Sequence, residues 1–108
     1  MTTLVIDSSA LRATTVHLTD DTLVVDLADG RSLSAPLAWY PRLLQGSSVE
    51  RSNYRLIGSG EGIHWPDLDE DIGVEGLLLG KKSGEGQASF ERWLQRRRTG
   101  GADKIGVA

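Results

Sequence analysis

Six acidic residues and no Lys or Arg fall between Ser59 and Glu75, in a stretch that also holds one histidine, His64. Carboxylates beside an imidazole could hold a metal ion, activate a nucleophile or attract a positively charged partner. Each of these kinds of chemistry requires a different spacing of residues, so the spacing is the first thing to test. The acidic residues are Glu61, Asp67, Asp69, Glu70, Asp71 and Glu75.

A metal site is the first possibility, and the ligand set is poor for it. Sites for zinc and similar metals draw on several His or Cys side chains, whereas this stretch has one His and the chain has no Cys. Asp67, Asp69 and Asp71 alternate like the start of a calcium loop, but that loop needs a Gly where Ile72 stands and a Glu where Leu78 stands. We therefore expect no metal and no cofactor, and interpret the aspartates as helix caps.

Catalysis is the second possibility. Ser59, His64 and Asp67 are the residue types of a catalytic triad, but such sets occur in most sequences and no nucleophile-elbow motif accompanies them. The segment GSGEG (58–62) shares its glycines with phosphate-binding loops, yet Glu61 would repel a phosphate and the following Lys is missing. We predict no catalytic residues and no enzymatic activity.

The composition is typical of one soluble globular domain, with 108 residues of which 39% are hydrophobic and 25% charged. No apolar run approaches the roughly 20 residues that a membrane helix needs. The start of the chain, MTTLVIDSSALR, lacks the basic segment of a signal peptide. Without Cys there are no disulfides and no thiolate metal sites. We expect a cytoplasmic protein that makes no membrane contact.

The charges are distributed unevenly along the chain. Residues 1–80 contain five basic and twelve acidic side chains, whereas residues 81–108 contain seven basic and three acidic ones. This pattern indicates an acidic body with a basic tail, or a tail selected for solubility alone. The run Arg96–Arg98 is typical of phosphate contacts, but arginines at a helix end also complement its dipole. Because the acidic body would repel DNA, nucleic-acid binding by this chain alone is not expected.

Alternating apolar residues predict an antiparallel sheet that begins with a three-stranded meander over residues 14–35. Asp20-Asp21 and Asp29-Gly30 supply its two turns. Two further strands are predicted around residues 54–58 and 62–65. The side chains expected to be buried are Val16, Leu18, Leu23, Val25, Leu27, Leu33, Leu56, Ile63 and Ile72.

Short helices are predicted to cover this sheet. The segment PRLLQ (41–45) begins with a Pro, whose missing N–H costs nothing in a first turn. Ser47 and Glu50 have the spacing of a capping box and open a second helix. A third helix is expected over residues 67–79, with acidic residues in its first turn and Gly80 as its stop.

Together these elements predict an α+β fold in which an antiparallel sheet is covered by short helices and followed by a C-terminal helix. In that helix Phe90, Trp93 and Leu94 stand at helical spacing. We expect them to dock on their own domain or on a second copy, and predict self-association through them in a homodimer. At the other end, residues 1–12 leave open a strand through Leu4–Ile6 or a loose terminus. The predicted organisation is an α+β domain (1–80), a flexible linker (81–86), an amphipathic helix (87–98) and a disordered tail (99–108).

Three segments of the chain resemble one known family: ADGRSLSAPLAWYPRL (28–43), YRLIGSGEGIHWPDLDEDIGVEGLL (54–78) and SGEGQASFERWL (83–94). The sequence is similar, over about residues 14–95, to the bacterial domain-of-unknown-function family 2442. The resemblance implies a small α+β protein without established enzymatic activity or catalytic residues. Many members are similar to the antitoxin-like half of a two-gene module, encoded beside a small protein of another uncharacterised family.

Two classes of function remain open. The first is a non-enzymatic protein-binding module, an antitoxin-like or regulatory partner of a small basic protein encoded nearby. Its partner-binding residues would be the six acidic residues named above, with Trp65 as an aromatic anchor. The second is a small ligand-binding protein or enzyme with a pocket near His64 and Trp65. A neighbouring gene for a small basic protein would favour the first class.

Overall fold

The computed structural model describes residues 11–107, with side chains described for residues 11–99. The possible strand at Leu4–Ile6 lies outside the described residues. The α+β class is confirmed, since six strands and four α-helices are present within residues 11–107. The strands are β1 (Ala13–Leu18), β2 (Thr22–Leu27), β3 (Ser32–Pro36), β4 (Arg55–Ile57), β5 (Gly62–Trp65) and β6 (Glu70–Gly73). The α-helices are α1 (Pro41–Gln45), α2 (Ser48–Ser52), α3 (Val74–Leu78) and α4 (Gln87–Val107), and a 3-10 turn at Leu37–Trp39 precedes α1.

The predicted meander is confirmed as a sheet in the order β1-β2-β3. Val25 on the central strand lies opposite Val16 on β1 and Leu33 on β3. The side chain of Val25 is fully buried, so period-two alternation places this face on the core. The sheet is therefore built by local pairing of consecutive strands.

A second antiparallel sheet, in the order β4-β5-β6, replaces part of the predicted third helix. The helix expected over residues 67–79 is wrong in its first half, because Glu70–Gly73 pairs with β5. Ile72 lies opposite Ile63, and both are buried. Asp69 closes the hairpin with a φ of 50°, a left-handed conformation that Asp tolerates better than most residues. Pairing with a neighbouring strand therefore overrides the helix signals of this segment.

The remaining helical part of that segment is α3, and the aspartates do not cap it. Gly73 is its N-cap residue and makes no side-chain cap hydrogen bond. The stop at Gly80 is confirmed, since this residue has a φ of 77°. Helices α1 and α2 form as predicted, and in α2 both bonds of the Ser47–Glu50 capping box are present.

The two sheets are joined at Gly60, in the turn between β4 and β5. The Ala13 N–H on the edge of β1 donates to the Gly60 carbonyl at 2.7 Å. Gly60 has a φ of 106°, and a Cβ there would lie 2.5 Å from the Ala13 carbonyl oxygen. Any side chain at position 60 would therefore push the sheets apart.

The core lies between the sheets and the helices and includes side chains from every strand except β4. Trp93 of α4 belongs to it, so the C-terminal helix is part of the same core. Within the described residues, no helix is long and apolar enough to cross a membrane. Of the side chains expected to be buried, Val16, Leu23, Val25, Leu27, Ile63 and Ile72 are buried, whereas Leu18, Leu33 and Leu56 are half-buried at the margin of the core.

Helix α4 begins at Gln87, as predicted, but runs beyond the predicted end at Arg98. The order of the predicted tail, residues 99–108, stays a prediction, because side chains beyond residue 99 are outside the described part. Residues 81–86 form neither helix nor strand. They are nevertheless held by hydrogen bonds described below, so we call residues 81–99 the C-terminal strap.

Candidate functional site

The acidic residues named from the sequence are spread along one hairpin, β5-β6 with its flanks, which we call the acidic hairpin (residues 61–75). Asp67 and Asp69 lie in the turn at one end of the hairpin. Glu61 and Glu75 lie at the other end, next to the pair Gly62–Gly73. The structure therefore places these residues along one hairpin and does not gather them around one point.

Five of the six carboxylates are exposed to solvent. Glu70 differs, because it shares the core-facing side of β6 with Ile72 and is half-buried. Since the sequence predicted all six as one exposed surface, Glu70 as a direct partner contact is a correction. The exposed residues are Glu61, Asp67, Asp69, Asp71 and Glu75.

The three residue types of a triad are held apart by different partners. The Ser59 hydroxyl donates to Glu61 at 2.7 Å, and His64 Nδ1 is in contact with the Asp71 carboxylate. Asp67 accepts a hydrogen bond from the side chain of Asn53 at 2.9 Å. Because each group is engaged elsewhere, Ser59, His64 and Asp67 do not form a charge relay.

Trp65 is a second correction to the predicted interface. Its side chain is fully buried, and its indole N–H donates to the Arg51 carbonyl at 3.0 Å. Consecutive strand residues face opposite sides of a sheet, so His64 and Trp65 cannot line one pocket together. Trp65 supports the core and is neither an exposed anchor nor a pocket wall.

The outer face of the second sheet carries one exposed apolar side chain, that of Ile57, and two glycines. Ile57 lies beside Gly62, and its side chain is 42% exposed. A Cβ added at Gly73 on the same face would meet nothing within 4 Å. Ile57 is therefore an exposed apolar side chain on that face, with Arg55, His64 and Asp71 around it.

A metal site finds no support in the arrangement of side chains. Among the residues that the structure describes, no three His, Asp or Glu side chains are grouped as a metal ion would need. The aspartates of the hairpin turn and His64 therefore act separately.

A polar cluster around Arg42 was not found from the sequence. The Arg42 guanidinium binds Glu85 of the strap through both carboxylate oxygens, with an Nε–Oε1 distance of 2.8 Å. Both side chains are only 12% exposed. Arg42 also lies 3.5 Å from the Asp69 carboxylate, and the Ser89 hydroxyl donates to Glu85 at 2.7 Å. The cluster thus ties the hairpin turn and the strap to α1, through residues too distant in sequence to be matched by pattern.

Glu70 lies against this cluster with an incompletely satisfied carboxyl group. Its Oε2 atom is buried and has no hydrogen-bond partner within the described part of the chain. The pKa of the Glu70 carboxyl is raised from 4.5 to about 7, with burial as the largest cause; the charge of Arg42 and a hydrogen bond from the Asp71 backbone oppose the rise, and the charges of Glu85 and Asp71 add to it. Burial and the charge of Glu70 also raise the pKa of Tyr40. Glu70 therefore changes its charge near neutral pH.

The strap is fixed to the α+β domain by its backbone as well. The Ser83 N–H donates to the Trp39 carbonyl, and the Tyr40 hydroxyl donates to the Lys81 carbonyl, each at 3.0 Å. Residues 81–86 are thus attached to the segment that leads into α1.

Trp93 is the apolar anchor of the strap. Two guanidinium groups lie over its ring, that of Arg42 at 5.1 Å and that of Arg97 at 4.8 Å from the ring centroid. Phe90 stacks on Trp93 with ring centroids 5.7 Å apart, and Phe90 and Leu94 are half-buried against the core. These three residues were expected to mediate self-association because they would be exposed. They pack within their own chain, so that argument fails, and the homodimer stays a prediction.

Arg97 forms the second ionic anchor of the strap. Both of its terminal nitrogens donate to Glu50 at 2.9 Å, and Glu50 also accepts from the Ser47 N–H in the capping box. Hydrogen bonds from Arg97 are the main cause that lowers the pKa of Glu50 from 4.5 to about 2. One carboxylate therefore stabilises both α2 and the docking of α4.

Glu50→Gln is expected to destabilise the protein at neutral pH and much less in acid. A lowered pKa contributes stability above pH 4.5 that is lost as the pH falls toward 2. We expect a loss of about 1–2 kcal/mol at pH 7, since solvent reaches the ion pair. Urea unfolding at pH 7 and pH 2.5 measures it, with Glu91→Gln on the exposed side of α4 as the control. If the free energy of unfolding of Glu50→Gln differs from that of the unmodified protein by the same amount at both pH values, this assignment is contradicted.

Another carboxylate cluster lies on the open face of the first sheet. Asp26 accepts hydrogen bonds from Thr15 at 2.7 Å, Ser32 at 2.7 Å and His17 at 2.9 Å. These bonds, with that of Thr15 the largest, lower the pKa of Asp26 to about 2. The cluster pairs neighbouring strands and resembles cross-strand stabilisation more than a reactive site.

Comparison with solved structures finds two similar folds. A protein of unknown function from Rhodospirillum rubrum, solved by crystallography, is 26% identical with a TM-score of 0.60, over 68% of this chain and 92% of that one. An uncharacterised protein from Chromobacterium violaceum, solved by NMR, is 21% identical with a TM-score of 0.59, over 68% of this chain and 69% of that one. The second likeness shows the fold alone. Among curated proteins, no significant match was found.

The family comparison covers the part of the chain that forms both sheets. The model of the family described as Protein of unknown function (DUF2442) matches residues 13–83, from the first residue of β1 into the strap. This span includes the acidic hairpin and Arg42 but ends before Glu85 and Trp93. The match agrees with the resemblance seen in the sequence motifs. The chain therefore belongs to the family Protein of unknown function (DUF2442).

Proposed function

We propose that this protein is a non-enzymatic protein-binding module of the cytoplasm, an antitoxin-like or regulatory partner of a small basic protein encoded nearby. The observation that carries the proposal is the exposure of five carboxylates along the acidic hairpin. No Lys or Arg interrupts the segment between Ser59 and Glu75. A surface of one charge sign attracts a partner of the other sign and speeds association.

The outer face of the second sheet supplies the apolar part of this interface. Interfaces combine an apolar centre with a polar rim, and Ile57 is exposed next to the two glycines of this face. The space above Gly73, where an added Cβ would meet nothing within 4 Å, leaves room for a partner side chain on this face. The proposed contact therefore runs from Ile57 across Asp71 to the two ends of the hairpin.

Charge reversal of the hairpin tests this proposal. The double variant Asp67→Lys/Glu75→Lys places one change at each end of the hairpin and spares the half-buried Glu70. We expect its affinity for the co-purified neighbouring gene product to fall about tenfold or more, which is about 1.4 kcal/mol, with a weaker dependence on salt.

The matched control is Asp20→Lys/Glu91→Lys, which makes the same change in net charge on exposed residues outside the hairpin. Binding by isothermal calorimetry and thermal unfolding would be measured for both variants. Equal loss of affinity in both would mean that only net charge matters. An unchanged affinity in the hairpin variant, or a neighbouring gene product that does not co-purify, would overturn the proposal.

A further inference from the structure

The Arg42 cluster contains two carboxylates that depend on one guanidinium group. Glu85 occupies that group through both oxygens, and Glu70 lies close enough for the Arg42 charge to lower its pKa. The buried Oε2 of Glu70 has no hydrogen-bond partner in the part of the chain that the structure describes. A second negative charge at this place would repel Glu85 and compete for Arg42.

We propose that Glu70 is a proton-dependent switch for the C-terminal strap: the strap is docked while Glu70 is protonated, and residues 81–89 are released when Glu70 ionises. The inference is independent of the partner proposed above. It follows from the position of Glu70 beside a segment that only a few polar contacts attach: the Arg42–Glu85 ion pair, hydrogen bonds at Lys81 and Ser83, and Lys82 over the Trp39 ring.

The charged and titratable groups around Glu70 come from every element that packs against it. They line or border a cavity of about 230 Å³ between β6, α3 and the first residues of the strap. The charge of Arg42 favours an ionised Glu70, but burial outweighs it, since the pKa is raised. The groups are Tyr40 just before α1, Arg42 within α1, Asp69 and Asp71 on the hairpin, and Lys81, Lys82 and Glu85 on the strap.

The direction of the pH effect follows from the raised pKa. A carboxyl whose pKa is about 7 in the docked state, and lower once release exposes it to solvent, binds protons preferentially when docked. Docking is therefore strongest below pH 4.5 and weakens as the pH rises through 7. Between pH 5.5 and 8 the ratio of docked to released strap should fall by at least about tenfold.

The strap also has the means to move without unfolding the domain. Gly80 precedes it with a φ of 77°, and a Cβ added at Gly84 or Gly86 would meet nothing within 4 Å. The distant anchor, Arg97 on Glu50, does not titrate in this range, because the pKa of Glu50 is about 2. Release is thus confined to the first part of the strap, while α4 stays attached at its far contact.

Amide hydrogen exchange of the full chain measures this release residue by residue. The Ser83 N–H reports docking through its bond to the Trp39 carbonyl, and the Val25 N–H in the central strand reports global unfolding. We expect the protection factor of Ser83 to fall at least about tenfold from pH 5.5 to pH 8, with that of Val25 nearly constant. Glu70→Gln should hold Ser83 protected at both pH values, whereas Glu75→Gln should behave like the unmodified protein.

Two outcomes would overturn the switch: a Ser83 protection factor that does not change with pH, or one that changes equally in Glu70→Gln. If Glu70→Gln does not fold, the unmodified protein still decides the question. The carboxyl carbon of Glu70 can be titrated by NMR, and the fall in Ser83 protection must lie in the pH range between 4.5, the pKa of an exposed Glu carboxyl, and the pKa measured for Glu70. A fall that lies outside that range would assign the release to another group.

Discussion

Val25→Asp is expected to leave the protein without a cooperative unfolding transition. Val25 is fully buried at the centre of the first sheet, between Val16 and Leu33 on its two neighbours. A carboxylate there has no partner, and burying it costs several kcal/mol, which is comparable with the roughly 5–15 kcal/mol that stabilise a whole domain. Circular dichroism during thermal unfolding, together with amide NMR dispersion, would show the loss.

The control for this experiment is Val49→Asp, the same substitution at a side chain that is 75% exposed. Position 49 lies in the first turn of α2, where a negative charge is favoured by the helix dipole. Val49→Asp should therefore unfold within about 0.5 kcal/mol of the unmodified protein. A folded Val25→Asp protein with a normal transition would show that the first sheet is not the core of this fold.

Trp93→Ala is the second substitution with a large expected effect. Trp93 is 5% exposed, and the guanidinium groups of Arg42 and Arg97 both lie over its ring. Its removal leaves a cavity and withdraws the ring that both arginines cover, so we expect a loss of about 3–5 kcal/mol. Urea unfolding followed by circular dichroism gives the value.

Arg92→Ala provides the comparison on the same helix, because Arg92 is exposed. It should change the free energy of unfolding by less than about 0.5 kcal/mol. If Trp93→Ala is equally mild, the strap does not stabilise the domain, and its docking is weaker than the stacked geometry indicates. Analytical ultracentrifugation of Trp93→Ala also tests the predicted homodimer, since a released helix would expose Phe90 and Leu94.

The first sheet could be predicted because its information is local. Alternation of apolar residues and the turns at Asp20 and Asp29 fix the meander, and consecutive strands pair with each other. The helices at Pro41 and Ser47 were found for the same reason, since a first-turn Pro and a capping box act within one turn.

The hairpin β5-β6 was mispredicted because its local and non-local signals disagree. Acidic residues after Pro66, followed by Ile72 and Leu residues, are typical of a helix start, yet β5 offers a strand partner that fixes residues 70–73 in extended form. Tertiary pairing routinely overrides such propensities. The sequence did contain one signal of a buried sheet face at β5. Ile63 and Trp65 are two residues apart on that strand, which places both side chains on the same, buried side.

The Arg42 cluster could not be read from the sequence at all. Arg42 and Glu85 are separated by 43 residues, and nothing in the composition around either residue indicates the other. The half-burial of Glu70 has the same origin, because it depends on which face of an unrecognised strand turns inward. The acidic surface was predicted as a set of residues, whereas its division into exposed and buried members required the fold.

The two bonds that Glu50 makes are completed at different times as the chain is synthesised. The capping box of α2 needs only Ser47 and Glu50, whereas Arg97 follows Glu50 by 47 residues. At roughly 5–20 residues per second this is a delay of several seconds on the ribosome. The strands of the second sheet are made within that interval, and the apolar surface that Trp93 covers stays open until its end. A nascent chain stalled after residue 86 should accordingly bind chaperones that recognise apolar surface, and lose them once α4 emerges.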